Sequence, residues 1–182
     1  MTESEKEGIY MEKKIILNIE LLKEGVTNVA ESVIAMKDQL TEIDSKLGDG
    51  DMGISMSAGA EAVIFAVGSY TGKEMDLLLK ECAMALNRAA PSTMGTLLTM
   101  GLLALAKECR GKSKIEEEEL IQFPELVAEA IMKGGHAARG DKTILDAMLP
   151  YAETLEEKYR EGIGLKEAHR LACKAAEEGK ES

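Results

Sequence analysis

Leu22-Lys-Glu-Gly-Val-Thr-Asn-Val-Ala-Glu-Ser-Val-Ile-Ala-Met-Lys-Asp-Gln-Leu-Thr-Glu-Ile-Asp44, continuing as Ser-Lys-Leu-Gly-Asp-Gly-Asp-Met-Gly53, decides how the rest of the chain reads. Apolar residues recur at helical spacing at Leu22, Val26, Val29, Val33, Met36 and Leu40, so residues 15–43 read as one amphipathic helix that Gly25 kinks or divides. The same pattern returns on both sides of each later interruption. A second helix is expected over 52–67 and a third over 74–87. Pro91 then interrupts, and Ser92 or Thr93 caps a fourth, strongly apolar helix to about Ala106. After a polar loop at Gly111, helices are expected over 117–132, over 143–159 despite Pro150, and over 165–178. No alternating run rich in β-branched residues reads as a strand. The expectation is an all-α bundle of about seven mostly antiparallel helices. Residues 1–14 read as a flexible polar leader and 15–182 as a single helical domain.

Composition supports helices and narrows function. Of 182 residues, 45% are hydrophobic and 30% charged, the balance of a globular chain with a real core; aromatics are 3%, so that core must be built from Met, Ala and Leu. A net charge of −11 argues against nucleic acid or an anionic membrane as partner, because both need a basic face. Cys82, Cys109 and Cys173 are isolated and odd in number, which suits a reducing, cytoplasmic setting. No stretch reads as long and apolar enough to span a bilayer.

Chemistry concentrates at Asp44, Asp49 and Asp51. Gly48, Gly50 and Gly53 let the backbone turn tightly there, so the three carboxylates converge on one point, a costly arrangement without a cation. The donors are carboxylates and carbonyls with no thiolate or imidazole beside them, which calls for a hard ion, best magnesium. An EF-hand calcium loop fails on spacing: with Asp49 first, Gly53 falls at position 5 and Ala60 at position 12, where the bidentate glutamate belongs. A solvated Asp-Gly-Asp turn is the plain alternative, and both readings stand at this point.

Three helix starts offer unpaired N–H groups suited to phosphate: Met52-Gly53-Ile54-Ser55, Pro91-Ser92-Thr93, and the glycine-rich turn 134–143, where Asp141 is expected to open a helix and Arg139 and Lys142 add positive charge. Each taken alone is an ordinary capped helix. The Lys142-Thr143 pair lacks Walker A spacing. His136 and His169 have no partnered Ser or Cys and read as surface or packed side chains; Met84, Met94 and Met100 read as core; Glu116 to Glu119 read as a solvated helix start. No catalytic nucleophile is assigned.

Leu40-Thr-Glu-Ile-Asp-Ser-Lys-Leu-Gly-Asp-Gly-Asp-Met-Gly53 and Gly140-Asp-Lys-Thr-Ile-Leu-Asp-Ala-Met-Leu-Pro150 together resemble, in order and separation, the two signatures of the L subunit of dihydroxyacetone kinase, and the likeness runs from about Ile15 to Gly179. That resemblance implies a closed antiparallel helical barrel carrying ADP or ATP at one end through two magnesium ions. It implies Asp44, Asp49 and Asp51 as metal ligands, Met52, Gly53, Ile54, Ser55, Pro91 and Ser92 as the phosphate cradle, and Gly135 and Ile144 as further nucleotide contacts. It also implies a K-type partner subunit holding dihydroxyacetone or a related triose or polyol and, in phosphotransferase-linked systems, an M-type subunit that rephosphorylates ADP. The family commonly has histidine where this chain has Met52, and a Gly-rich Ser-Gly segment where it has Pro91-Ser-Thr-Met-Gly-Thr96. The chain ends at Ser182, where the family continues into a helix and a loop covering the nucleotide, so the expected site lacks that lid.

Two functions follow as expectations. One is a magnesium-dependent phosphotransferase subunit, inactive without its partner. The other is a non-catalytic ligand-binding or regulatory module on the same helical frame. Retained ADP separates them.

Overall fold

Asn18 opens the first long helix by accepting the Leu21 N–H at 2.9 Å on its side-chain oxygen. The computed structural model describes residues 14–181, so the expected leader lies almost wholly outside the described residues. Within them the order is β1 (Ile16–Leu17), α1 (Ile19–Ala35), α2 (Lys37–Asp44), α3 (Met52–Ser69), α4 (Met75–Ala89), α5 (Thr93–Glu108), β2 (Ile115–Glu116), α6 (Glu117–Leu120), α7 (Phe123–Gly135), α8 (Leu145–Arg160) and α9 (Leu165–Gly179). The fold is all-α apart from β1 and β2.

Helices pack in series. α1 and α2 lie on α3, α3 on α4, α4 on α5, α5 on α7, α7 on α8 and α8 on α9. The main core centres on α4, whose Met75, Leu78, Leu79 and Cys82 are fully buried together with Cys109 and Ile115. Each such large aliphatic side chain contributes on the order of 2 kcal/mol of transfer free energy. Smaller clusters join α7 to α8 through Ala128, Ile131 and Leu145, and α8 to α9 through Leu155, Ala168 and Ala172. Burial pushes the Cys82 and Cys109 thiols up to about 11, which keeps them protonated and inert.

Several expectations are corrected. A short antiparallel ladder pairs Ile16 with Glu116 and Leu17 with Ile115, too brief to show alternation in sequence. The first helix breaks at Met36, not Gly25: the Met36 N–H is shared between the Ser32 and Val33 carbonyls at 3.2 Å each, a tightened turn that re-aims α2. Val29 and Met36, expected in the core, are 67% and 43% exposed. The expected 117–132 helix is two, because the chain turns at Ile121–Gln122 and Pro124 begins a new helix in its first turn. Met84 is 50% exposed rather than core. The glutamate run is not merely solvated either: Glu116 and Glu119 form a capping box, and buried Glu117 accepts the Ile15 N–H at 2.7 Å.

One helix, α3, is long and apolar enough by length and composition to cross a membrane, contrary to the sequence expectation. Its packing against α1, α2 and α4 accounts for the buried Met56, Ala60, Val63 and Val67, while Ile54 and Phe65 of the same helix stay exposed.

Candidate functional site

The acidic turn is built by the junction of α2 with α3. Asp44 is the last residue of α2, and its carbonyl accepts the Gly48 N–H at 2.6 Å, which folds the chain back at once. A Cβ on Gly48 would displace the Asp44 carboxylate from the cluster, and Gly50 takes φ +75°, a conformation that favours glycine. Gly53 performs a different task. A Cβ there would overlap the Lys37 carbonyl and the Thr41 hydroxyl, so its absence lets the first turn of α3 touch α2 and sets the turn's position.

The result brings one oxygen each from Asp44, Asp49 and Asp51 within 4.8 Å of one another. Asp44 is half-buried, and Asp49 and Asp51 are exposed. Few protein donors answer these charges: Met52 N–H reaches Asp44 Oδ2 at 3.3 Å and Asp51 N–H reaches Asp49 Oδ1 at 3.4 Å, both long. The charge of Asp49 is the main reason that the Asp51 carboxyl sits above the usual range, with desolvation and Asp44 adding to it. No cation from a Lys or Arg side chain pairs with the cluster among the described residues. The donor set therefore fits a hard divalent ion, with carboxylates to spare for more than one ion and room at the exposed edge for water or phosphate oxygens.

The predicted cradle residues divide into two groups. Met52, Gly53, Ile54 and Ser55 form the first turn of α3 directly after the aspartates; there the Gly53 and Ile54 N–H groups lack intrahelical acceptors, whereas Met52 N–H turns to Asp44 and Ser55 N–H donates to the Asp51 carbonyl at 2.9 Å. Ser55 Oγ donates to the Met52 carbonyl at 3.2 Å. Pro91 and Ser92 precede α5, and Ser92 Oγ caps it by accepting the Gly95 N–H at 3.1 Å, leaving the hydroxyl proton for another acceptor. This second start is tied to the first through α3: a Cβ on Gly59, about 10 Å along that helix from Met52 at its 1.5 Å rise, would reach Ala90 at 3.0 Å.

Gly135 and Ile144 flank the glycine-rich turn. Gly135 ends α7 against Leu97 of α5, and Ile144 precedes α8 in the cluster that also holds Leu97 and Ala137. Asp141, expected to open a helix, instead lies in the turn, its Oδ2 accepting the Ala138 N–H at 2.8 Å; α8 starts at Leu145. Arg139 is spent on Glu153, 2.6 Å away. A residue missed from sequence organises this loop. Asp146 accepts the Gly140 N–H at 2.6 Å and the Thr143 N–H at 2.9 Å, and these backbone donors hold its carboxyl below the usual range. Its position three residues after Thr143, in the pattern of a side chain capping a turn, was the available sign.

Elsewhere, a cleft of about 930 Å³ lies between the segment before β1, α6, the start of α7 and the α8–α9 pair, lined by Tyr151, Tyr159 and His169 among apolar and charged residues, remote in sequence from the aspartates. His169 accepts or shares a proton with Tyr151 Oη at 2.7 Å, and His136 ends α7 in the left-handed region at φ 51°. Contrary to the sequence expectation, His169 does have a cysteine beside it, Cys173 with Sγ 3.6 Å from Nε2, but both lie on α9 and neither belongs to the acidic turn.

Comparison with known proteins identifies the family and the fold. Residues 46–182 match the DAK2 domain. The chain is 26% identical over 145 residues to the "PEP-dependent dihydroxyacetone kinase, ADP-binding subunit DhaL" of Escherichia coli K12, covering 80% of this chain and 69% of that subunit. It is 32% identical over 124 residues to the Listeria innocua "PEP-dependent dihydroxyacetone kinase 2, ADP-binding subunit DhaL", covering 67% of this chain and 57% of that one. The "D-erythrulose kinase" of Mycolicibacterium smegmatis is 31% identical over 82% of this chain, which spans only 26% of that longer enzyme. The crystal structure of the C. freundii dihydroxyacetone kinase superposes with a TM-score of 0.70 at 19% identity, over 86% of this chain and 28% of that one, which shows the shared fold. With a match that takes in more than half of its length, the chain belongs to the DAK2 domain family and is a relative of the L subunits of dihydroxyacetone kinases.

Proposed function

We propose that this protein is the nucleotide-binding subunit of a dihydroxyacetone-kinase-like phosphotransferase. The observation that carries the reading is the convergence of three carboxylates within 4.8 Å at the start of α3, with almost no protein donor to balance them. Asp44, Asp49 and Asp51 would hold Mg²⁺, two ions in this reading, and bound magnesium would neutralise phosphate charge. Within the first turn of α3, Met52 to Ser55, the Gly53 and Ile54 N–H groups, and at the Pro91–Ser92 start of α5 the Ser92 hydroxyl, supply donors for phosphate oxygens. Gly135 and Ile144 border the nucleoside of ADP or ATP. The E. coli and Listeria relatives, named ADP-binding subunits, support this assignment, and a crystal structure of the C. freundii enzyme in complex with AMP-PNP and Mg²⁺ shows that a protein of this fold takes such a pair.

The acceptor is a small triose or polyol held by a K-type partner subunit, with an M-type subunit as donor where ADP is recharged in place. No substrate-capturing nucleophile or histidine lies at the acidic turn, so catalysis here consists of placing and neutralising phosphate. The buried reduced thiols suit a cytoplasmic location.

Phosphorus NMR and mass spectrometry of the purified protein should detect bound ADP. Magnesium plus ADP at about 100 times the dissociation constant should stabilise the fold by about 2.7 kcal/mol, far more than either alone. Identical melting curves with and without the pair at millimolar concentration would remove the nucleotide site. Rapid phosphorylation of free dihydroxyacetone by the isolated chain would overturn the requirement for a partner.

A further inference from the structure

Asp146 stands apart from every residue assigned above, yet it closes the loop that borders the proposed nucleoside site. Its two carboxylate oxygens reach back to Gly140 N–H at 2.6 Å and Thr143 N–H at 2.9 Å, so one side chain spans the whole turn. The turn needs such a clasp. Gly140 takes φ 90° and Lys142 takes φ 57°, and Lys142 carries a side chain that resists this left-handed conformation. Two further bonds complete the enclosure: Asp141 Oδ2 accepts the Ala138 N–H at 2.8 Å, and Arg139 pairs with Glu153 of α8 at 2.6 Å.

Asp146 is also fixed from behind. A Cβ on Gly179, in the last turn of α9, would overlap the Asp146 carbonyl and come within 2.8 Å of Pro150 Cγ, so the end of α9 rests directly on the first turn of α8. The carboxylate thus projects from a buttressed backbone into the loop. The N–H groups of Leu145, Asp146 and Ala147 at this helix start are taken by Thr143 Oγ1, the Thr143 carbonyl and the Ile144 carbonyl, and the Asp146 carboxylate adds negative charge beside them, so the α8 start offers a phosphate neither free donors nor favourable charge.

We infer that Asp146 is a positioning residue: it holds the 138–144 loop, and Ile144 with it, in the shape that receives the nucleoside, and by setting its negative charge beside the already bonded α8 start it leaves phosphate to the starts of α3 and α5. This rests on the nucleotide reading above. It assigns different parts of one ligand to different helix starts, which makes it separable by experiment.

The test compares Mg²⁺-dependent binding of ADP with that of inorganic pyrophosphate, which has phosphates but no nucleoside, in wild type, Asp146→Ala and Asp146→Asn. Trypsin cleavage after Arg139 and Lys142 reads the loop directly. Loss of two charge-assisted hydrogen bonds in Asp146→Ala should weaken ADP about tenfold, leave pyrophosphate within about twofold, and speed cleavage at the two loop sites about tenfold. Asp146→Asn keeps one acceptor and should fall between the two, which also covers the case of an unfolded Ala variant. Unchanged ADP affinity, or equal losses for ADP and pyrophosphate, would overturn the positioning role. Wild-type protein that binds neither ligand would remove the nucleotide reading and the nucleoside half of this one, and the trypsin arm would then decide the loop clasp alone.

Discussion

The two turns of this protein that combine aspartate with glycine place their carboxylates in opposite electrostatic settings. In the turn from Asp44 to Met52, three carboxylates face one another, and the backbone donors that reach them do so at 3.3 and 3.4 Å. In the turn from Ala138 to Asp146, two aspartates are separated and each accepts backbone N–H groups at 2.6 to 2.9 Å. The consequence appears in ionisation: Asp51 is raised by its neighbour Asp49, and Asp146 is lowered by Gly140 and Thr143. An acidic turn with internal donors is complete as it stands. One without them carries unbalanced charge, and a cation is what balances it.

The most direct way to break this comparison is Asp49→Asn, which keeps shape and removes one charge. If the first turn holds magnesium, Mg²⁺-dependent ADP affinity should fall by about 10- to 100-fold, the range seen when a metal site loses part of its support. Metal-free thermal stability should hold or rise slightly, because one of three repelling carboxylates is gone. Equal ADP affinity in the two proteins, measured by calorimetry, would leave the first turn as a solvated loop like many others.

A second test concerns what places the acidic turn. Gly53→Ala forces a methyl group into the Lys37 carbonyl and the Thr41 hydroxyl, so α2 and α3 must separate, at a cost of about 1–3 kcal/mol. Gly68→Ala, in the last turn of the same α3, meets nothing within 4 Å and should be neutral or stabilising by roughly 0.4–1 kcal/mol. Urea midpoints for both variants check the pair. Similar values would mean that the close contact of α2 with α3 does not hold the turn in place.

Much of this geometry was legible in the residues, and the failures have identifiable causes. The runs that became α3, α4, α5 and α9 were clear because each combines helical periodicity with a nearby glycine, proline or capping hydroxyl; Ser92 caps α5 as its type predicts. The aspartate cluster was legible because glycines bracket it. The break at Met36 was not, since it arises from tertiary packing of α2 on Gly53, and Gly25, the local suspect, faces open space. Pro124 did mark a boundary, but the apolar run across it was read as continuous. Asp146 as a clasp was legible only in part: its spacing after Thr143 marks the bond to the Thr143 N–H, but the bond to the Gly140 N–H depends on a loop whose left-handed residues, Gly140 and Lys142, cannot be read from residue types alone.

The smallest expected effect, and the one that probes both turns at once, is the acid response. The folded Asp146 carboxyl lies below its unfolded value, so its contribution is fully present above about pH 3.9 and is lost as pH falls further through the folded value. Asp51 has the opposite sign. Its folded value is raised, so the ionised group costs the metal-free protein stability near neutrality, and that cost is relieved as pH falls through the raised value towards about 3.9. Without metal, Asp51→Asn should therefore flatten the stability profile between neutrality and about pH 3.9, and Asp146→Asn should flatten it only below that point. Magnesium at neutral pH should suppress the Asp51 difference, because an ion now balances the charge, and leave the Asp146 difference untouched. Melting temperatures across this pH range, with and without magnesium, are the measurement. Parallel profiles for wild type and Asp51→Asn throughout the upper window would mean that the three carboxylates do not crowd one another in solution, and the contrast between the two turns would fail at its first term.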